Sequence, residues 1–228
     1  MKPVIKIDIV SDIVCPWCYI GKRRLEKAVT QLSGQYDFNI TYHPFELNPE
    51  LPEGGQNQKE YLAKRFGGET KYHQITGHVN GVAAGEGLHF DFHKQHIMPN
   101  TRKAHSIIMA AKEEGNQIVV AERFFKAYFT DGIDLTNTEN LISLAIDSGL
   151  QKHRVEDILK DSAAAEQVAV AEDEARKLGI HGVPFFIIND RYGISGAQST
   201  NTFVSALTEI GSKIEIEEAT SCSTDAPC

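Results

Sequence analysis

Apolar and polar residues alternate through Ile5-Lys6-Ile7-Asp8-Ile9, the period of a half-buried strand. The period then changes. Leu25, Ala28, Val29 and Leu32 recur at i, i+3, i+4 and i+7, one face of a helix, with Lys22, Arg23, Arg24 and Lys27 off that face. After a break at Ser33-Gly34 the alternation returns in Phe38-Asn39-Ile40-Thr41-Tyr42, closing a βαβ unit whose second strand pairs with the first. Pro44, Pro49 and Pro52, followed by Glu53-Gly54-Gly55, permit neither helix nor central strand and take the chain out of the sheet.

From about Gln58 to Leu178 the periodic segments are helical, and no strand is expected among them. Lys59 to Phe66 is one helix. Lys103 to Glu114 is another, with Ala104, Ile107, Ile108 and Ala111 on one face and Gly115 as its stop. The aromatic run Phe124, Phe125, Tyr128 and Phe129 within Glu122 to Phe129 reads as core rather than a cofactor box. Thr136 and Glu139 have capping-box spacing ahead of Leu141, Leu144 and Ala145, with Gly149 as the stop. Val155 to Lys160 and Ala163 to Leu178 complete an insert of roughly 120 residues, the size of a small domain.

Strand signals then resume. Val183-Pro184-Phe185-Phe186-Ile187-Ile188 is a short apolar run, Asn189-Asp190 a turn, and Tyr192 to Gly196 the returning strand of a hairpin. Ser199 caps a last helix carrying Phe203, Leu207 and Ile210, with Gly211 ending it. The order is βαβ, helical insert, ββα, an α/β fold class. Residues 1–57 and 179–212 are expected to form one discontinuous domain, 58–178 the helical insertion domain, and 213–228 an acidic polar tail.

The composition, with 228 residues and 41% apolar, is that of a globular chain with ample core. A net charge of −8 leaves no basic stripe to follow a phosphate backbone, so nucleic acid is not an expected partner. Lys6 and Asp8 interrupt the first apolar stretch, which is too short for a signal peptide, and no window approaches a membrane span. The chain therefore reads as cytoplasmic, with no membrane partner. There thiols stay mostly reduced and a cysteine pair is more useful for catalysis or sensing than as a staple.

The candidate chemistry lies where the first strand feeds the first helix, in Asp12-Ile13-Val14-Cys15-Pro16-Trp17-Cys18-Tyr19-Ile20. The first turn of a helix has unpaired N–H groups and the positive end of the macrodipole. A cysteine there has its thiolate stabilised, which brings its pKa from about 8.5 toward a range of about 3.5–7.5. Pro16 suits the first helical position, where its missing N–H costs nothing. Cys15 is then the attacking thiol, and Cys18, about one turn on, resolves the mixed disulfide. The alternatives are a packed structural pair or half of a zinc site. A zinc site would want a second close pair, and Cys222 and Cys228 are the only other cysteines, so no metal is expected. Lys22, Arg23 and Arg24 form a basic patch that would favour a thiolate or anionic thiol, though a solvated helix face is the simpler reading.

Pro184 heads an apolar run, where proline is tolerated at a strand start, an edge or a turn. Local sequence favours an ordinary trans bond; a cis bond would turn the Val183 backbone outward to pair with an extended substrate. Together, a Cys-Pro-x-Cys at a strand-to-helix turn, an all-helical insert and a Gly-Val-Pro loop opening a ββα half resemble the thioredoxin-fold oxidoreductases of the DsbA superfamily. Ser11 to Gly21, Pro44 to Pro49, Met98-Pro99-Asn100-Thr101, Gly182 to Phe186 and Ile194 to Gln198 are similar to its FrnE-like branch, across residues 3 to about 210. The resemblance implies a thioredoxin-like fold with a large helical insertion, and a cis Pro184 packed against Cys15 and Cys18.

That branch is related to kappa-class glutathione transferases and 2-hydroxychromene-2-carboxylate isomerases, which bind glutathione and typically carry serine for the first cysteine. Both cysteines are kept here, so a dithiol–disulfide cycle is preferred. By the same resemblance Asn100 and His105 face the cleft from the insert, with packing or surface roles an equal alternative. Trp17 stands where the periplasmic oxidant of the superfamily has histidine, so a less oxidising couple is expected.

His89, His93 and His96 share helical spacing, but Phe90, Phe92 and Pro99 argue against a helix, and a polar wall is the default over a metal site. Gly77, Gly81, Gly85 and Gly87 lack the lysine of a phosphate loop. Cys222 and Cys228 form a second exchanging pair or are incidental to a polar tail. The expectation is a thiol–disulfide oxidoreductase acting on protein disulfides or small thiols, with Cys15 and Cys18 catalytic and Pro16, Trp17, Val183 and Pro184 supporting. No cofactor is expected beyond glutathione as a co-substrate. The rivals are a glutathione-dependent isomerase or transferase, and a holdase with an apolar cleft.

Overall fold

The first strand, β1 (Val4–Ser11), is covered on both faces: Ile5, Ile7 and Ile9 are buried, and so are Asp8 and Val10 between and beyond them. Asp8 is paired rather than solvated, lying 2.8 Å from His43 Nε2 and 3.1 Å from Lys6 Nζ. In this computed structural model, which describes residues 2–222 and the side chains of 2–214, α1 (Pro16–Leu32) and β2 (Asp37–Pro44) follow. The next segment holds a two-residue β3 (Gln56–Asn57), α2 (Gln58–Phe66), α3 (Glu69–Gly85) and a two-residue β4 (Ile97–Met98). Beyond it come α4 (Arg102–Ala110), α5 (Gln117–Lys126) with a π-helical turn (Ala127–Asp131), α6 (Thr138–Asp147), α7 (Lys152–Lys160) and α8 (Ser162–Lys177). The chain then returns through β5 (Phe185–Ile188), β6 (Tyr192–Ser195) and α9 (Thr200–Cys222).

The sheet order is β2-β1-β5-β6. β1 runs parallel to β2, with Ile7 opposite Ile40, and antiparallel to β5, with Ile9 opposite Phe186. The β5–β6 hairpin turns through Asn189 and Asp190, both with positive φ (50° and 56°), a conformation these two residue types tolerate best after glycine. One side of the sheet joins Ile5, Ile7, Phe186 and Ile188 to α1 and α9, while Val10, Phe45, Ala175 and Ile180 form a smaller cluster under α8 on the other. The expected aromatic run is core: Phe125 stacks on Tyr19 of α1 at 4.9 Å between ring centroids, and Phe129 on Phe90 at 4.5 Å.

Four details depart from the sequence reading. The segment expected to be all-helical contains the strand β4, which pairs with β3 just ahead of that segment; Gly55 makes the bridge possible, since at φ 66° a side chain there would run into the Met98 carbonyl. α3 is not predicted, because Gly77, Gly81 and Gly85 each cost a helix about 1 kcal/mol relative to alanine. Tyr72, Thr76, Val79 and Ala83 nonetheless give it a continuous buried face. The cap of α6 is Asn137, whose Oδ1 accepts from the N–H groups of Glu139 and Asn140 at 2.9 and 3.2 Å, while Thr136 donates to Asp134 instead. His89, His93 and His96 sit exposed on the irregular stretch before and into β4, sharing no helix face.

The fourth departure is at Gly211. It does not stop the last helix, which continues to Cys222 through residues where a tail is expected from 213. The Tyr36 ring occupies the space a Cβ at 211 would need, so glycine serves close packing there. Gly211→Ala should therefore destabilise the fold by about 1–3 kcal/mol, the usual cost of overpacking, read as a lower denaturation midpoint. An unchanged midpoint would mean Tyr36 swings clear. The side chain of Cys222 and all of Cys228 lie outside the described residues.

Candidate active site

Cys15 occupies the N-cap of α1, in extended conformation (φ −88°, ψ 112°), with Pro16 as the first helical residue. No acidic residue lies in that first turn, so nothing competes with a thiolate for the helix's positive end. The loop is held in shape by a turn from Cys15 N–H to the Asp12 carbonyl at 3.0 Å. Asp12 itself is fully buried (0% exposed), and its carboxylate ties three segments together. Oδ1 accepts from Val14 N–H at 3.4 Å and lies 3.3 Å from His105 Nε2; Oδ2 accepts from Leu47 N–H at 2.8 Å.

Both cysteines are free thiols. Cys15 is 4% exposed, less than a reactive sulfur suggests from sequence, but what remains open lines a cleft. Its Sγ lies 3.7 Å from the Val183 carbonyl, across the cis Val183–Pro184 bond from β5. Gly21 makes that approach possible: a Cβ on it would press the Pro184 ring and Phe186 at 3.2 Å. Cys18 lies behind Cys15, and burial, together with the neighbouring Cys15 sulfur, pushes its thiol well above the usual cysteine range. Iodoacetamide near neutral pH should therefore modify Cys15 and spare Cys18, as read by peptide mass. Equal labelling of the two would contradict this layering.

The cleft has a volume of about 340 Å³ and runs between the cysteine loop and the insert. Val14, Pro16, Trp17, Leu47 and Val183 wall it on the sheet side; Leu62, Phe66, Ile75, Val79, Phe92, Met98, Tyr128 and Phe129 wall it on the insert side. Polar groups are few. Gln58 and Gln95 are buried in it, with Gln58 Nε2 donating to Gln95 Oε1 at 3.3 Å and Tyr72 OH donating to Gln58 Oε1 at 3.2 Å. Gln95 Nε2 has no partner among the described residues, and leaving a buried donor unpaired costs about 1–3 kcal/mol. A larger, shallow depression of about 650 Å³ over α2 touches neither cysteine.

The basic residues of α1 do not serve the sulfur. Lys22 and Arg23 pair with Glu26 and with Glu122 of α5, and Arg24 and Lys27 grip Glu86 just past α3. They are neither a free patch nor a solvated face, because the insert supplies matching carboxylates that the helix period alone could not reveal. Asn100 and His105 are not lining residues of the cleft. Asn100 Nδ2 donates to the carbonyls of Pro49 and Leu51, bracing the proline loop, and His105 (3% exposed) lies under the motif against Asp12. Trp17 does have an imidazole beside it: the His78 ring of α3 is 6.2 Å away, centroid to centroid.

A second buried ionic cluster adjoins Asp12. Glu46 accepts from Arg102 Nε and Nη2 at 2.8 and 2.6 Å through one oxygen, and its other oxygen is unpaired among the described residues. Glu172 accepts from the Glu46 N–H at 2.6 Å. Burial raises the Glu46 pKa; the Arg102 guanidinium opposes the shift, and Glu172 adds to it. Asp12 is visible in the sequence three residues before Cys15, but two of its carboxylate's three partners come from 35 and 93 residues away and carry no local signal.

A thiol at a helix start, a buried second thiol and a proline loop across from them form one constellation. The family model for the DSBA-like thioredoxin domain matches residues 6–208. The chain belongs to this DsbA-like family. A "probable DsbA oxidoreductase" from Streptomyces coelicolor is 32% identical with a TM-score of 0.83, covering 90% of this chain and 89% of that one. The uncharacterized YwbO of Bacillus subtilis is 27% identical over 221 residues, 90% of this chain and 96% of YwbO. The cytosolic disulfide reductase DsbM of Pseudomonas aeruginosa, 17% identical, shares the fold of this DsbA-like chain with a TM-score of 0.60 over 94% of it and 99% of DsbM. Among the described residues of the DsbA-like chain, no helix is long and apolar enough to cross a membrane.

Proposed function

We propose that the chain is a thiol–disulfide oxidoreductase of the FrnE-like branch that reduces, forms or isomerises disulfides in protein or small-thiol substrates. The observation that carries this is the layering of the two sulfurs. Cys15 caps α1 at the cleft, while Cys18 is held behind it as a thiol until needed. In the reducing direction, the Cys15 thiolate attacks one sulfur of a substrate disulfide and expels the other as a thiolate. Cys18 then attacks the Cys15 sulfur, releases the second thiol and closes the protein disulfide; the two protons leave with the products. Pro16 and Trp17 shape the approach, and Val183 and Pro184 hold the substrate chain opposite the sulfur.

Glutathione is the co-substrate we propose for resetting the pair, in a reducing cytoplasmic setting; DsbM has been seen with glutathione bound. The presence of both cysteines supports exchange over glutathione-dependent isomerisation, which needs only one residue at the first position. Titration of the pair in glutathione buffers is the test. A reversible two-electron transition is expected, with about 30 mV for each tenfold change in the exchange constant. A chain that shows saturable glutathione binding but never forms a Cys15–Cys18 disulfide would be the isomerase or transferase instead.

A further inference from the structure

The walls of the cleft say what kind of disulfide reaches Cys15. This step rests on the exchange chemistry above and specifies its substrate. Rings line the space, among them Trp17, Phe92 and Phe129, and no carboxylate does. Arg65 is its one lining cation among the described residues. Unlike the cations of α1, Arg65 has no carboxylate partner among the described residues; its Nη1 rests on Asn48 Oδ1 at 3.4 Å and Tyr61 OH at 3.3 Å. Gln95, 5% exposed, belongs to the same wall, but its unpaired Nε2 is sealed from the open space. The volume of about 340 Å³ is at the small end for ligand pockets, which run about 300–1,000 Å³.

We propose that the cleft selects a compact aromatic disulfide bearing a carboxylate, which sets its ring among the aromatic walls and its carboxylate at Arg65, with its sulfur at Cys15. Cys15 takes one half of this ligand as a mixed disulfide and releases the other as a thiolate. Cys18 then frees the bound half, so the ligand gains the two electrons that the protein dithiol loses. A guanidinium prefers such an anion to a neutral ring.

The test follows second-order oxidation of the reduced full chain by three disulfides: 5,5′-dithiobis(2-nitrobenzoate), aromatic and anionic; 4,4′-dithiodipyridine, aromatic and uncharged; and glutathione disulfide, anionic and polar. Each rate is divided by that of N-acetylcysteine with the same disulfide, which removes intrinsic electrophilicity. The normalised rate should be highest for the nitrobenzoate by about tenfold or more. Arg65→Gln should cut its advantage over the pyridine disulfide about threefold, whereas Lys64→Gln, outside the cleft, should leave that ratio unchanged. Equal normalised rates, or glutathione disulfide in the lead, would overturn the selectivity while leaving exchange intact. No reaction with any of the three would overturn the exchange reading itself.

Discussion

Cys15→Ser abolishes disulfide exchange, with a loss of at least about a hundredfold in the rate of insulin reduction or of small-disulfide reduction. Serine at the N-cap keeps the helix start intact, since a hydroxyl caps as well as or better than a thiol, so the loss is chemical rather than structural. Cys18→Ser has a different signature. The first attack survives, the second cannot occur, and the chain accumulates as a mixed disulfide visible as a mass increase by one substrate half. If instead the Cys15→Ser protein still exchanges and the Cys18→Ser protein does not, the roles are reversed. If neither variant loses activity, no exchange runs through this pair. Suppression of aggregation by the double variant would point to the holdase alternative.

Arg102→Ala destabilises the fold by about 2–4 kcal/mol near neutral pH, because it strands the buried Glu46 carboxylate beside Glu172. The figure is set about 1 kcal/mol below the usual cost of breaking a buried pair, since the outer edge of Arg102 meets solvent. The pH dependence gives the prediction its sign. Burial raises the Glu46 pKa in the folded state, so the folded chain holds that proton more tightly than the unfolded chain. Stability from this group is therefore full in acid and declines as pH rises from the ordinary glutamate value through the raised one. Removing Arg102 takes away the group that opposes the shift, so the defect should shrink at about pH 4.5 and be largest at about pH 7. Urea unfolding at both pH values measures it. Equal defects at the two would mean that Glu46 is not the group left unpaired by the change.

Much of this architecture is legible in one dimension because its signals are local. The alternation at Ile5 to Ile9, the helical spacing from Leu25 to Leu32 and the turn at Asn189-Asp190 each mark an element within a few residues, and each element is where the pattern puts it. The Cys15–Cys18 motif announces its own helix start. What was not legible is what depends on distant partners. Three glycines hide α3, whose burial against the cleft outweighs their cost. Gly211 has the form of a helix stop but answers to Tyr36, 175 residues earlier. Lys22, Arg23 and Arg24 look like a surface patch until Glu86 and Glu122 arrive from the insert. The Gln58–Gln95 pair, Asp12–His105 and Glu46–Arg102 likewise exist only once the chain has closed on itself.

The ionic grip on α1 bears on how far the two halves of the molecule can be treated as modules. Four cations of one helix are matched to Glu86 and Glu122 of the insert, with Glu26 of the same helix joining in. Parting the helical portion from α1 would leave Lys22 without Glu122 and Arg24 without Glu86, and on a foreign sheet the two glutamates would lack their cations. A working chimera would have to carry the whole set across the junction together, so these residues form a unit of inheritance that cuts across the boundary between sheet and insert.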